Sequence, residues 1–150
     1  INEKIKMREG FRPFAPTILE EHIQDYFELN QPSPYMLLVA PVKESIIHSD
    51  EPLPSITHVD GSARIQSINS QQDRLYYALL SEFKRKTDCP VLINTSMNVR
   101  GEPMVNTPED TYRCFMRTQM DAVVIGNFLM LKSEQPELKL ASAKEAFGLD

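Results

Sequence analysis

Strand-like apolar runs alternate along this chain with segments that open on helix caps, and the alternation predicts an α/β (α+β) fold, a twisted mixed β-sheet flanked by helices. Three observations carry that prediction. Val91-Leu92-Ile93 is apolar with a β-branched bias and breaks abruptly into Asn94-Thr95-Ser96-Met97-Asn98-Val99-Arg100-Gly101, as a buried strand does on entering a polar loop. Ser70-Gln71-Gln72-Asp73 and Thr107-Pro108-Glu109-Asp110 read as helix starts, the second with proline at the first helical position. Gly126-Asn127 lies between two four-residue apolar runs, which makes the pair a hairpin.

From the N-terminus, Lys4, Lys6 and Arg8 alternate with Ile5 and Met7, the pattern of an extended strand with one basic face. Arg12 precedes Pro13 and is held out of helix. Thr17-Ile18-Leu19-Glu20 has the form of a capping box, with Leu19, Ile23, Tyr26 and Phe27 on one face of the helix it would start. Residues 35–42 form a continuous apolar strand, and residues 45–54 an exposed loop punctuated by prolines. His58-Val59-Asp60-Gly61-Ser62-Ala63-Arg64-Ile65-Gln66 reads as two short runs about an Asp-Gly turn, with Arg64 on the strand that leaves it. The helix after Asp73 carries Leu75, Leu79 and Phe83 as its core stripe. Residues 1–132 are assigned to one domain, and residues 133–150, with a weak helical pattern at Leu138, Leu140 and Phe147, to a tail helix or linker.

Composition bounds the function. The 150 residues hold 16 Lys and Arg against 21 Asp and Glu, a net charge of −5, which argues against a general nucleic-acid or membrane surface. The local basic clusters point to a pocket instead. Cys89 and Cys114 form no paired motif and read as buried free thiols, His22 and His48 as structural or surface residues. No apolar stretch reaches the ~18 residues of a membrane span, and no phosphate loop or dinucleotide fingerprint is present. A chain that opens on Ile1 without a signal-like segment is expected to be a cytoplasmic C-terminal piece of something longer.

The polar loop after Val91 concentrates amides, hydroxyls and a guanidinium, the donors that hold an oxyanion. A turn capping the strand would use the same residue types, so the basic cluster Lys4-Ile5-Lys6-Met7-Arg8-Glu9-Gly10-Phe11-Arg12 and the Asp-Gly segment with Arg64 decide between the two.

Those three segments, in this order, resemble the C-terminal region of the NodU and antibiotic O-carbamoyltransferase family over roughly residues 4–131. The resemblance implies a YrdC-like fold with a concave ligand-binding face that takes carbamoyl phosphate and ATP, with Mg²⁺ carried by the phosphates, and forms carbamoyl-adenylate. It implies a missing N-terminal, actin-ATPase-like domain that transfers the carbamoyl group to an acceptor hydroxyl. Lys6, Arg8, Arg12, Arg64, Ser96 and Asn98 match the family's motif positions for the phosphate-bearing substrate. Asn94 and Arg100 extend the set by adjacency, and His58 beside the turn is placed to line the pocket. Met97 departs from the aromatic expected there in many relatives, and an adaptable apolar side chain changes packing rather than chemistry. The alternatives are a YrdC-like RNA-binding module, which the net charge disfavours, and a non-catalytic partner domain, which the intact Lys6, Arg64 and Ser96 disfavour.

Overall fold

The structure is a computed structural model and describes residues 1–137, 141 and 145. It divides into two compact units, one formed by residues 13–95 and the other by residues 1–12 together with the chain from Ser96 onward.

The first unit is a mixed sheet. Its elements are β1 (Ala15–Leu19), α1 (Ile23–Tyr26), β2 (Leu38–Pro41), α2 (Glu44–Ile47), β3 (Ser62–Ile68), α3 (Arg74–Thr87) and β4 (Val91–Asn94). The strand order is β2-β3-β1-β4, with β1 parallel to β3 and antiparallel to β4, and β2 antiparallel to β3. Every residue of β1 is buried, as a central strand packed on both faces requires. Alternation along it divides the core. Ile18 joins Phe14, Phe27, Val42 and Ile65, while Leu19 joins Ile68 and Leu80 in the cluster that includes α3. Pro16 is tolerated in this strand because the ladder to β3 begins only at Thr17, opposite Gln66. Buried hydroxyls are satisfied: Thr17 donates to Gln66 Oε1 at 3.1 Å, and Ser33 donates to the Ile65 carbonyl at 2.8 Å.

Several expected elements differ here. The Thr17-x-x-Glu20 pattern starts no helix; residues 15–19 are strand, because backbone pairing on both sides and burial all round outweigh a local cap. A 3₁₀ turn (Glu20–His22) and the one-turn α1 follow. The strand expected over residues 35–42 shrinks to Leu38–Pro41, since Met36 adopts a left-handed φ of 56° and Tyr35 and Leu37 face solvent. The loop of residues 45–54 is entered through α2. Asp60 and Gly61 make the expected turn, closed by the His58 N–H donating to the Ser62 carbonyl at 2.7 Å. The strand partner of β3 there is nonetheless β2, with Val39 opposite Arg64, and not the segment before the turn. Asp73 caps α3 by accepting from Tyr76 N–H at 2.9 Å. That helix buries Leu80 with Tyr76 and Tyr77 and leaves Leu75 77% and Leu79 56% exposed, so the stripe that faces the sheet lies one residue beyond the expected one.

The second unit contains a five-residue π-helical turn (Asn2–Lys6), α4 (Pro108–Arg117) and the hairpin of β5 (Ala122–Ile125) and β6 (Phe128–Leu131). The alternating basic strand expected at residues 4–8 is absent. Lys6 is buried and Met7 is left-handed, a coil that brings side chains from consecutive positions inward instead of to alternate faces. Thr107 and Asp110 form a reciprocal capping box with Pro108 at the first position, and Gly126 turns the hairpin at a φ of 58°. Lys132 closes α4 at its other end, donating to the Phe115 and Thr118 carbonyls with its Nζ 4.2 Å from the Phe115 ring centroid. Val99 and Cys114 centre the small core, with Met7, Met97, Val105 and Met120 packed on them. Among the described residues no helix is long and apolar enough to cross a membrane. Leu138, Leu140 and Phe147, the positions of the expected tail helix, lie outside the described residues.

The helix face is open to direct test. Leu80→Ala should lower the unfolding free energy by about 3 kcal/mol, and Leu75→Ala on the same helix by less than ~0.5 kcal/mol, in urea titrations. Equal losses would place the wrong face against the sheet.

Candidate functional site

In the second unit the site is organised by one buried ammonium. Lys6 is 5% exposed, and its Nζ lies 2.6 Å from the Ser96 carbonyl, 3.3 Å from Ser96 Oγ, 2.9 Å from the Asn98 carbonyl and 2.7 Å from Asn98 Oδ1. Three ammonium protons serve four acceptors, so the cation is fully occupied by the loop after β4. Ser96 Oγ donates to Asn98 Oδ1 at 2.7 Å, and Asn98 Nδ2 donates to the Glu102 carbonyl at 2.8 Å. The Arg100 N–H closes the loop on the Lys6 carbonyl at 2.9 Å. Burial, and next the charge of Arg8, lower the pKa of Lys6 from its ordinary value.

Around this clamp the guanidinium groups of Arg8, Arg12 and Arg100 gather at Glu9. Arg12 Nε is 3.0 Å from Glu9 Oε2, and Arg100 Nη1 is 3.7 Å from Oε1. Glu9 is held below the usual carboxylate range by its own backbone N–H first, then by Arg12, Arg100 and Arg8. Arg8 Nε donates to Asn2 Oδ1 at 2.8 Å, while Asn2 Nδ2 donates to the carbonyls of Gly10 at 3.2 Å and Arg12 at 2.8 Å. Asn2 thereby sets both the arginine and the backbone of the loop that carries it. On the other side Glu102 accepts from the Val99 N–H at 2.9 Å, sits 3.7 Å from Arg117 and lies near Cys114. Burial, then Glu102, push the Cys114 thiol up to about 11.

In the sheet unit Arg64 is exposed on β3 and, among the described residues, enters no ion pair. With His58, Pro13, Phe14, Ala15 and Val39 it lines a recess of about 270 Å³. His58 Nδ1 lies 3.0 Å from Ser62 Oγ, and Asp60 Oδ1 accepts from Ser62 Oγ at 2.7 Å and from the Ser62 N–H at 3.0 Å. The Ser62 hydroxyl, followed by its amide, keeps the Asp60 carboxyl below its ordinary range. Asn94, at the end of β4 opposite Ala15, is taken up by the sheet: its Nδ2 donates to Gln66 Oε1 and approaches Met36 Sδ.

The structure therefore brings Lys6, Ser96 and Asn98 into one hydrogen-bonded cluster, gathers Arg8, Arg12 and Arg100 about Glu9 in the same unit, and places His58 and Arg64 on one recess of the other. Asn2, Glu9, Glu102 and the Asp60–Ser62 pair were missed by sequence reasoning. Only the last carried a signal, since Asp-Gly-Ser is the pattern of a side chain that folds onto its own turn. Among the described residues no group of three His, Cys, Asp or Glu side chains is placed to hold a metal ion.

The family described as Carbamoyltransferase C-terminus matches residues 1–132. This chain belongs to that family. It is 40% identical to nodulation protein NolNO of Sinorhizobium fredii over 88% of the chain and 19% of that protein. It is 38% identical to the 3'-hydroxymethylcephem-O-carbamoyltransferase of Amycolatopsis lactamdurans over 83% of the chain and 23% of that protein. An uncharacterised protein of Synechocystis sp. is 51% identical, with the whole chain aligned to 27% of its length. The chain thus spans about a quarter or less of the length of these relatives.

Two measurements probe this geometry. Lys6→Met keeps the aliphatic stem but strips the donor from half-buried acceptors, and should cost about 1–3 kcal/mol of stability and speed tryptic cleavage after Arg100. Wild-type stability with unchanged cleavage would show that the clamp does not order the loop. For Cys114, whose folded pKa stands above its ordinary 9.0, the unfolded thiol ionises first. Its contribution is intact below pH 9 and lost as the pH climbs to about 11, at most about 2–3 kcal/mol. Urea midpoints between pH 8 and 10.5 should fall more steeply for the wild type than for Cys114→Ala.

Proposed function

We propose that this chain is the part of a carbamoyltransferase that binds carbamoyl phosphate and ATP and joins them as carbamoyl-adenylate. The observation that carries the reading is the set of arginines at Arg8, Arg12 and Arg100 around a single carboxylate, on loops fixed by Lys6, in a chain whose net charge is −5. Local positive charge of that kind suits ligands rich in phosphate, for which guanidinium forks supply paired, charge-assisted hydrogen bonds. Ser96 and Asn98 are held in place before any ligand arrives, Asn98 Nδ2 carrying a second proton beyond the one given to the Glu102 carbonyl, and Arg64 offers a guanidinium that enters no ion pair among the described residues. Lys6 acts mainly by positioning this loop, because its protons are already committed.

In the proposed sequence, water cleaves the carbonyl–oxygen bond of carbamoyl phosphate, giving carbamate and phosphate. A carbamate oxygen then attacks the α-phosphorus of ATP, the new O–P bond forms, and the bond to the bridging oxygen breaks as pyrophosphate leaves. No protein nucleophile is needed. The residues contribute orientation and neutralisation of the phosphate charge. Mg²⁺ would reach this chain on phosphate oxygens and water, supplying further charge neutralisation there. Transfer to an acceptor hydroxyl we assign to an N-terminal, actin-ATPase-like domain of a longer polypeptide, in keeping with the share of its relatives that this chain covers.

The test is pyrophosphate release by the 150-residue chain. Release should require both ATP and carbamoyl phosphate, and no acceptor should be carbamoylated. Arg64→Ala should weaken carbamoyl phosphate binding roughly 10- to 150-fold without loss of fold. Acceptor carbamoylation by the chain alone, or pyrophosphate release without carbamoyl phosphate, would overturn the assignment.

A further inference from the structure

The recess lined by Arg64 and His58 has its polarity set by a three-residue relay. Ser62 Oγ has one proton and two neighbours, Asp60 Oδ1 at 2.7 Å and His58 Nδ1 at 3.0 Å. A carboxylate only accepts, so the hydroxyl proton belongs to Asp60, as does the Ser62 N–H at 3.0 Å. Ser62 Oγ then meets His58 with a lone pair, and the matching group on the ring is Nδ1–H. Neutral imidazole carries one ring proton, so with Nδ1 protonated His58 Nε2 is a bare acceptor. Beside it, Arg64 enters no ion pair among the described residues and is donor-only. A donor and an acceptor thus line one recess of about 270 Å³ whose remaining lining is Pro13, Phe14, Ala15 and Val39. That volume, below the roughly 300–1,000 Å³ of sites for drug-sized ligands, suits a small acyl group.

We infer that His58 is the residue that selects a carbamoyl group, its Nε2 accepting an N–H of the carbamoyl nitrogen while Arg64 binds the oxygens, with Asp60 and Ser62 as positioning residues that fix the tautomer. This rests on the proposed function and adds to it a reason for discrimination. Carbamoyl phosphate and acetyl phosphate share their size and charge, but acetyl carries a methyl where carbamoyl carries an amino group. A methyl cannot satisfy a desolvated Nε2 lone pair, so the acetyl compound binds with that acceptor unpaired. Selection of this kind works through the unmet partner and needs no larger contact area.

Titration calorimetry of the full chain with carbamoyl phosphate and with acetyl phosphate tests the inference. The wild type should prefer carbamoyl phosphate about tenfold, in keeping with one well-placed hydrogen bond. His58→Phe should bring carbamoyl phosphate down to the affinity of acetyl phosphate, and His58→Gln, with an amide oxygen at the same reach, should restore part of the preference. Ser62→Ala should reduce the preference by freeing the ring, and the ¹⁵N imidazole signals, which report Nδ1–H in the wild type, should shift toward the other tautomer. Wild-type protein that binds both acyl phosphates equally, or His58→Phe that keeps the preference, overturns the inference alone. Wild-type protein that binds neither overturns the proposed function with it.

Discussion

A charged amine removed from water must be surrounded by acceptors or lose its proton, and that requirement at Lys6 governs the second unit of this chain. The ammonium gathers acceptors from Ser96 and Asn98, main chain and side chain alike, and so dictates the course of a loop ninety residues away. Lysine suits the task better than arginine. Its charge is compact and its three protons rotate, so it fits carbonyls that approach from different directions, whereas a guanidinium presents a planar fork. Once the loop is pinned, the Ser96 hydroxyl, the Asn98 amide and Arg100 are ordered without any anion to order them. The entropy of fixing those side chains is thereby met by folding and is not charged against a ligand.

The arginines illustrate how an acidic protein maintains local positive potential. Arg8, Arg12 and Arg100 would repel one another if left alone, and Glu9 at their centre relieves the repulsion without cancelling it. Asn2 contributes no charge, yet it fixes both Arg8 and the carbonyls flanking Phe11. In the sheet unit the same economy operates with neutral groups, where a serine hydroxyl between Asp60 and His58 converts a fixed carboxylate into a defined imidazole tautomer.

Legibility in the sequence followed the physics of each element. The Thr107 cap and the Gly126 turn were plain because their signals are local and nothing in the surroundings opposes them. An equally good cap pattern at Thr17 failed, since a strand flanked by partners on both sides gains more from the ladder than a helix gains from its first turn. On α3 the apolar positions Leu75, Leu79 and Phe83 and the positions Tyr76 and Leu80 make two stripes one residue apart, and only the sheet beneath chooses between them. At the site, residue types were readable but roles were not. Lys6 looked like another surface cation of an alternating strand, and nothing local announces a burial that depends on partners from residue 96 onward.

The interleaving of the two units has a consequence for how the chain is made. Residues 1–12 leave the ribosome before the sheet unit does, yet their acceptors at Ser96 and Asn98 arrive ninety residues later, about 5–18 s at usual elongation rates. All four strands of the mixed sheet are synthesised within that interval. Throughout it the basic segment of residues 1–12 is tethered to a folding domain with Lys6 still hydrated, so dehydration of the ammonium is a late event in the synthesis of this region.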